Sequence, residues 1–356
     1  MKAIRLHGAN DARLDDVAEP KLRENAVKIK IAWAGICGSD LALFEYSPIP
    51  LDFENPIMQE SGPKVLGHEF SGYVTEVAEG VTGIKIGDLV AVQPNFGDGT
   101  CAACLRGEPN LCENFAFIGI NGWGGGFSEY VVVPADHVFV LPEGFSPEVG
   151  ALVESLAVAW HAAKQSGAAE GSTALVIGAG PIGLGLLLGL RARGASRVIV
   201  SELSESRKAL ARELGADVID PGEVDVTEYA RSVTGGVGVD VSFDASGVGR
   251  PTLQPALDAL RSGGRSVIVA QFHGEVPIDP NLFLTSEKSV VGSFAYTATD
   301  FAEVIEAISD GRIEPEKLVS STIRLEDTVD GGLKHLLGNG RQTEIKILVG
   351  TGATAQ

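Results

Sequence analysis

Ala174-Leu175-Val176-Ile177-Gly178-Ala179-Gly180-Pro181-Ile182-Gly183-Leu184 decides the architecture of this chain. An apolar run of strand length meets three glycines spaced Gly-x-Gly-x-x-Gly, and a helical pattern follows from Pro181 to Arg193. Such a turn suits a dinucleotide pyrophosphate. The first glycine permits the tight turn and the second lets the backbone approach the phosphates. The third lets helix and strand pack closely, with the anion at the helix N-terminus. Three glycines alone fit a plain turn equally well. Context argues further, because Glu202 ends the next strand pattern nineteen residues after Gly183. A carboxylate there accepts both ribose hydroxyls of NAD and repels the extra phosphate of NADP. Leu203 and Ser204 offer no cation, and Arg207 lies a turn into the following helix. The expected coenzyme is NAD, held by Gly178, Gly180, Pro181, Ile182, Gly183, Glu202 and Arg207. The competing reading makes Glu202 a solvated strand-end charge.

Around this turn, strand and helix patterns alternate. Arg197–Val200, Val218-Ile219, Val239–Phe243, Arg265–Ala270 and Lys288–Val291 read as strands. Helices are expected at Ser206–Leu214, from Val226 and around Thr252–Leu260. A β-α-β rhythm of this kind implies a parallel sheet covered on both faces. Upstream, Val27–Ile31, Tyr73–Val77, Leu89–Val92, Phe127–Val133 and His137–Leu141 are short alternating runs separated by Gly and Pro, as in a barrel-like β unit. Ser146-Pro147 reads as cap and first position of a helix continuing through Lys164. Beyond 293, a helix at Asp300–Ser309 and a strand at Lys346–Val349 are expected to rejoin the first part, with Thr351–Gln356 frayed. The expected division is a discontinuous β-rich domain, 1–150 and 294–356, and a doubly wound parallel-sheet domain, 151–293.

The chain has 356 residues, 44% of them apolar, and a positive mean hydropathy, so it can bury a large core. A net charge of −19 opposes nucleic acid and anionic lipid as partners. Four cysteines in this length do not make a disulfide scaffold. Met1–Leu6 runs straight into polar residues without a signal-peptide core, and Ala174–Leu190 is too rich in glycine, with Pro181, to read as a membrane span. These features point to a cytoplasmic protein.

Two groups of residues suit metal ions. Cys37, in Gly35-Ile36-Cys37-Gly38-Ser39-Asp40, follows a strand; His68 and Glu69 lie in a glycine-flanked turn; Glu154 interrupts an apolar helix. A carboxylate buried there needs a cation or strong donor. One thiolate, one imidazole and two carboxylates compose an open zinc centre. Singly, Cys37 reads as a small buried hydrophobe and His68 as a hydrogen-bonded core residue. Asp98, Cys101, Cys104 and Cys112 compose a second, closed zinc lobe with Asp98 as fourth ligand; the alternative is a reduced, metal-free loop.

Cys37–Asp40, Gly67-His68-Glu69-Phe70-Ser71-Gly72, the cysteine lobe, Gly178–Gly183 and Lys346–Val349 resemble the zinc-containing medium-chain dehydrogenase/reductase superfamily over essentially the whole chain. Gly124–Tyr130 and Ala151–Glu154 are similar to its bacterial (R,R)-2,3-butanediol dehydrogenase group, close to sorbitol dehydrogenases. The resemblance implies a GroES-like catalytic domain, a Rossmann domain and a homodimer or homotetramer. It implies zinc on Cys37 and His68, with Glu69 and Glu154 as alternative or water-bridged ligands, and Ser39 as first acceptor of the substrate proton. A small secondary alcohol or its ketone, 2,3-butanediol and acetoin foremost, is the implied substrate; sorbitol-type polyols, other secondary alcohols and threonine are alternatives. A non-catalytic nucleotide-binding protein on the same scaffold is the reading from another class. Tyr46, Ile49, Phe117, Ile120 and Trp123 are candidate pocket walls. Three positions depart from the pattern: Ala42 replaces a relay histidine, Asp98 replaces a cysteine, and Ser155 follows Glu154 in place of proline.

Overall fold

A computed structural model describes residues 1–352. Two compact units form, one from Met1–Glu154, Thr297–Ser309 and Val319–Gln356, the other from Ser155–Tyr296 and Asp310–Leu318. The breaks thus fall a few residues beyond 150 and 293, and 310–318 lies with the second unit.

The first unit is built on a seven-stranded sheet in the order Val138–Val140, Leu89–Val92, Glu69–Val77, Ala26–Gly35, Lys346–Gly350, Val319–Arg324, with Tyr130–Pro134 also pairing with Ala26–Gly35. Period-two alternation puts Val27, Ile29 and Ile31 in the core. Lys28, expected on the wet face, is buried as well, because its ammonium sits between Glu19 and Glu76. Register decides what meets at one end of the sheet: Gly35 pairs with Glu69 on one side and with Leu348 on the other. The ends of three strands distant in sequence therefore converge. Gly35 has to be glycine here, since a Cβ would lie 2.1 Å from Glu69 Oε2.

The second unit holds a six-stranded parallel sheet ordered Asp217–Ile219, Arg197–Ser201, Thr173–Ile177, Val239–Asp244, Leu260–Ile268, Ser289–Gly292. Chain order reverses beside Thr173–Ile177, so the switch point lies at the strand that feeds the glycine turn. Leu175, Ile177, Ile199, Val239 and Leu260 are fully or almost fully buried, which explains their near-continuous apolar runs.

Three expectations need correction. The helix opened by Ser146, whose hydroxyl accepts from Val149 N at 3.2 Å, stops at Gly150, and a second helix covers Val153–Gln165. Leu152 N–H reaches back three residues to Val149 O, tightening the turn and breaking the α-helical ladder. Glu154 consequently lies in a first helical turn, where a negative charge is favoured, rather than in a helix interior. A helix at Gly38–Tyr46 is additional; its Leu41-Ala42-Leu43-Phe44 run has no amphipathic period to mark it. Thr351 is tied, its amide donating to Ala32 O at 3.2 Å, so fraying does not start there; residues from 353 onward lie outside the described ones.

Candidate metal centre and coenzyme cradle

Cys37 caps the helix Gly38–Tyr46, and the Asp40 carboxylate reaches back to accept from Cys37 N at 2.9 Å. The other Asp40 oxygen accepts from Gly67 N at 3.2 Å. One buried carboxylate thus pins the cysteine loop to the histidine loop. His68 stands edge-on to Phe117 with ring centroids 5.3 Å apart. Its Nε2 lies 3.2 Å from Ser39 Oγ, and its Nδ1 lies 3.6 Å from Asp40 Oδ1, beyond hydrogen-bond range. Burial opposes charge on this imidazole, but Asp40 and the Cys37 sulfur override it and hold its pKa well above the usual histidine value. The pocket favours a cation.

Glu69 opens the neighbouring strand. Donor atoms of Cys37, His68 and Glu69 lie within 4.8 Å of one another. Zinc bonds of 2.0–2.3 Å call for ligand atoms about 3.5–4 Å apart, so these three fit zinc after small side-chain adjustments. His68 Nδ1 is a buried polar atom without a hydrogen-bond partner, with Asp40 Oδ1 just out of reach, so a small shift of the ring would let it donate to that carboxylate as metal-bound histidines do. Glu154 is buried but lies outside this cluster. The surprise is Lys346. Its ammonium meets both Glu69 oxygens at 2.7 and 2.5 Å and donates to Ile36 O at 3.2 Å. Burial opposes that charge, yet Glu69, followed by Cys37 and Glu154, keeps the lysine pKa above its usual value. Among the pocket candidates, Phe117 touches the cluster through His68, whereas Trp123 packs edge-on against Phe96 and Tyr46 is 61% exposed.

The second cluster hangs from the hairpin Asn95–Phe96/Ala116–Phe117. Donor atoms of Asp98, Cys101, Cys104 and Cys112 also lie within 4.8 Å of one another. Asp98 Oδ1 accepts from the Thr100 and Cys101 amides at 2.7 and 2.9 Å, and Oδ2 accepts from Asn114 Nδ2 at 2.8 Å. The Cys101 and Thr100 amides hold its carboxyl well below the usual range. Cys112 Sγ accepts from the amides of Asp98 and Asn114 at 3.2 and 3.3 Å, a pattern suited to a thiolate. The amide bonds from Cys104 and Glu113 draw the Cys101 thiol down, whereas burial pushes Cys104 up to about 12. The donor set and spacing fit a closed zinc lobe in which the metal replaces the protons.

In the second unit, Gly180 caps the helix Pro181–Ala192 and Pro181 takes its first position. A Cβ on Gly183 would lie 1.8 Å from Gly178 O, so close packing excludes any larger residue. A Cβ on Gly180 would meet nothing within 4 Å, leaving the space in front of the helix N-terminus open for a pyrophosphate. Glu202 is not a loose strand-end charge. Its Oε2 accepts from Ala179 N at 2.7 Å, inside the glycine turn, and its Oε1 accepts from Leu203 N and Ser204 N at 2.8 Å. Lys208, a buried cation six residues after Glu202, is paired with Asp220 and Glu205.

Comparison with known proteins agrees with this arrangement. Residues 23–143 match the alcohol dehydrogenase GroES-like domain and residues 181–310 match the zinc-binding dehydrogenase domain. The chain is 41% identical to the (R,R)-butanediol dehydrogenase of Bacillus subtilis, over 98% of this chain and 99% of that one. It belongs to the zinc-binding alcohol dehydrogenase family. A second family member, the (R,R)-butanediol dehydrogenase of Neisseria gonorrhoeae, is 38% identical over 98% of this chain and 99% of its own. The crystal structure of 2R,3R-butanediol dehydrogenase from Bacillus subtilis superposes with a TM-score of 0.92 at 40% identity, covering 99% of both chains. The family's architecture, a GroES-like part plus a Rossmann-type α/β part, is the one described above.

For a zinc-binding alcohol dehydrogenase, the arrangement can bind a cation beside a hydroxyl group, Ser39, and seat an anion at a helix N-terminus. Lys346 is the residue that sequence reasoning passed over. Its only sequence signal is a lysine opening an apolar terminal strand, which reads equally well as a solvated strand end. No helix among the described residues is long and apolar enough to cross a membrane.

Proposed function

We propose that this chain is an NAD- and zinc-dependent dehydrogenase interconverting a small secondary alcohol and its ketone, 2,3-butanediol and acetoin foremost. The observation that carries the reading is the convergence of Cys37, His68 and Glu69 within 4.8 Å, beside the Ser39 hydroxyl. The names of the two relatives at 38% and 41% identity support the substrate class.

Cys37 and His68 would hold the catalytic metal, with Glu69 and Glu154 as alternative or water-bridged ligands; Asp98, Cys101, Cys104 and Cys112 would hold a second zinc. Zinc supplies Lewis acidity that makes a substrate hydroxyl more acidic, and NAD supplies the hydride acceptor. Ser39 Oγ, 3.2 Å from His68 Nε2, takes the hydroxyl proton. With Ala42 where a relay histidine is expected, the proton continues from Ser39 through ribose hydroxyls or water. Asp40 lies on the Nδ1 side of the His68 ring and Ser39 on its Nε2 side, so the Asp40 charge favours Nε2 as the ligating nitrogen. Gly178, Gly180, Pro181, Ile182 and Gly183 seat the pyrophosphate, Glu202 the adenosine ribose, and Arg207 the outer edge of that site. The unit built on Met1–Glu154, Thr297–Ser309 and the segment from Val319 acts as the catalytic domain and the one built on Ser155–Tyr296 and Asp310–Leu318 as the coenzyme domain of a cytoplasmic homodimer or homotetramer.

The test is coenzyme reduction with butanediol stereoisomers, sorbitol and threonine, and oxidation with acetoin. A kcat/KM for one butanediol isomer at least about tenfold above sorbitol is expected, equivalent to about 1.4 kcal/mol of transition-state preference. Preference for sorbitol or threonine overturns the substrate, and no turnover with any of them overturns the enzyme.

A further inference from the structure

The first unit contains a cavity of about 690 Å3 that shares no residue with either cysteine cluster. Its cationic walls are Arg5, Lys21, Arg23 and Lys64, against two acids, Asp16 and Glu60. That balance is the reverse of the chain as a whole, where 47 acids outnumber 28 lysines and arginines. A cationic hollow on so acidic a surface focuses field and collects anions.

Lys64 is the decisive group. It opens the short strand Lys64–Val65 and is only 9% exposed. Its ammonium donates to the Glu60 main-chain carbonyl, and among the described residues no carboxylate forms an ion pair with it. Glu60 lines the same cavity; its Oε2 accepts from the Trp123 amide at 2.8 Å, and its charge, with that of Glu54, favours the ammonium without forming an ion pair with it. An ammonium has three donors, so two of them lack a protein acceptor. Arg23 is more exposed: its guanidinium lies 4.3 Å over the Trp123 ring, Nη2 donates to Val132 O at 3.1 Å, and no carboxylate forms an ion pair with it among the described residues, although the Glu60 charge acts on it. Burial lowers the pKa of both groups, and the nearby acids do not offset it. A buried ammonium without an ion-pair partner is costly, and the molecule keeps one, Lys64, in the wall of a cavity that the exposed Arg23 also lines. Arg5 completes the wall, held by Pro63 O and by Asp15 at 3.4 Å.

We propose that this cavity is a binding site for the oxyanion group of a small molecule, seated between the Lys64 ammonium and the Arg23 guanidinium with its body against Trp123 and Tyr130. The volume lies within the usual range for small-ligand sites. Phosphate and carboxylate share the required chemistry: several acceptor oxygens and a full negative charge. Trp123 makes the site observable, because its ring carries Arg23 on its face and packs edge-on against Phe96 with centroids 5.4 Å apart.

The experiment uses the zinc-loaded full chain. Sodium phosphate and sodium citrate are titrated at constant ionic strength against chloride, with tryptophan fluorescence and the thermal midpoint as readouts. Saturable binding in the millimolar range or tighter is expected, with a rise in midpoint that chloride does not reproduce. Tighter phosphate identifies a phosphorylated ligand, and tighter citrate a carboxylate. K64M should weaken binding at least tenfold, and its midpoint should no longer respond to the anion. Should K64M fail to fold, R23A, at an exposed position, should weaken binding at least threefold. Absence of saturation beyond chloride in the wild type, or wild-type affinity in K64M or in R23A, overturns the proposal.

Discussion

Replacing Lys346 by Met tests the ion pair on which the catalytic end of the sheet closes. The two side chains are 2% and 1% exposed, and the ammonium sits 2.5 Å from Glu69 Oε2. At an effective dielectric of about 20, that separation corresponds to an attraction of about 6–7 kcal/mol. Desolvation of both ions offsets part of it, and removal of one partner of such a pair costs about 3–5 kcal/mol, because the other charge remains buried alone. For a domain of this size the loss corresponds to about 6–20 °C in the thermal midpoint. Urea unfolding of wild type, K346M, E69Q and the double variant E69Q/K346M measures it as a cycle. The double variant should be more stable than K346M, since it buries no unpaired charge. A K346M protein within about 1 kcal/mol of wild type, or a double variant no better than K346M, would refute this account. The pH sign follows from the raised pKa of Lys346. Its stabilising share is complete below the unfolded lysine value of about 10.4 and disappears only as pH rises through the higher folded value. The difference between wild type and K346M should therefore be constant from neutrality to about pH 9.

Cys37→Ser should remove one equivalent of zinc, read by atomic emission, and lower kcat by about 10³-fold, or about 4 kcal/mol; full zinc content with full activity would show that the metal lies elsewhere. Gly183→Ala forces a Cβ to within 1.8 Å of Gly178 O, so NAD affinity measured calorimetrically should fall at least about tenfold, about 1.4 kcal/mol. Glu202→Ala removes the acceptor of Ala179 N and, with it, the proposed ribose partner, and should raise the NADP-to-NAD ratio of kcat/KM by at least about tenfold. In the metal-free protein, Asp40 and Cys37 hold the His68 pKa up, so the charged ring stabilises fully below about pH 6.5 and progressively less as pH rises through its folded value. Zinc bound at His68 as proposed would displace that proton, so zinc uptake should release protons into a weakly buffered indicator, and affinity should weaken as pH falls.

Much of this protein was legible before any coordinates. The strand–glycine–helix run at 174–193 is governed by contacts within a few residues, such as the one between Gly183 and Gly178 O, and local sterics leave a mark in spacing. The parallel sheet followed from alternating periods, and the residues of both cysteine clusters could be named by chemical type. Their grouping was also expected, but the geometry that brings them together was not. Cys37, His68 and Glu69 meet because Gly35 pairs with Glu69, a register that no local pattern records. Glu69 and Lys346 lie 277 positions apart, and only the closing strand Lys346–Gly350 brings the ammonium to the carboxylate. Position within a helix was not legible either: a local three-residue reach from Leu152 to Val149, which no capping signal marks, restarts the helix and puts Glu154 in its first turn. Sequence determines which groups are available and the short-range geometry that their neighbours enforce. Which charges share one buried volume depends on strand register and closure, and those are settled by packing over the whole unit.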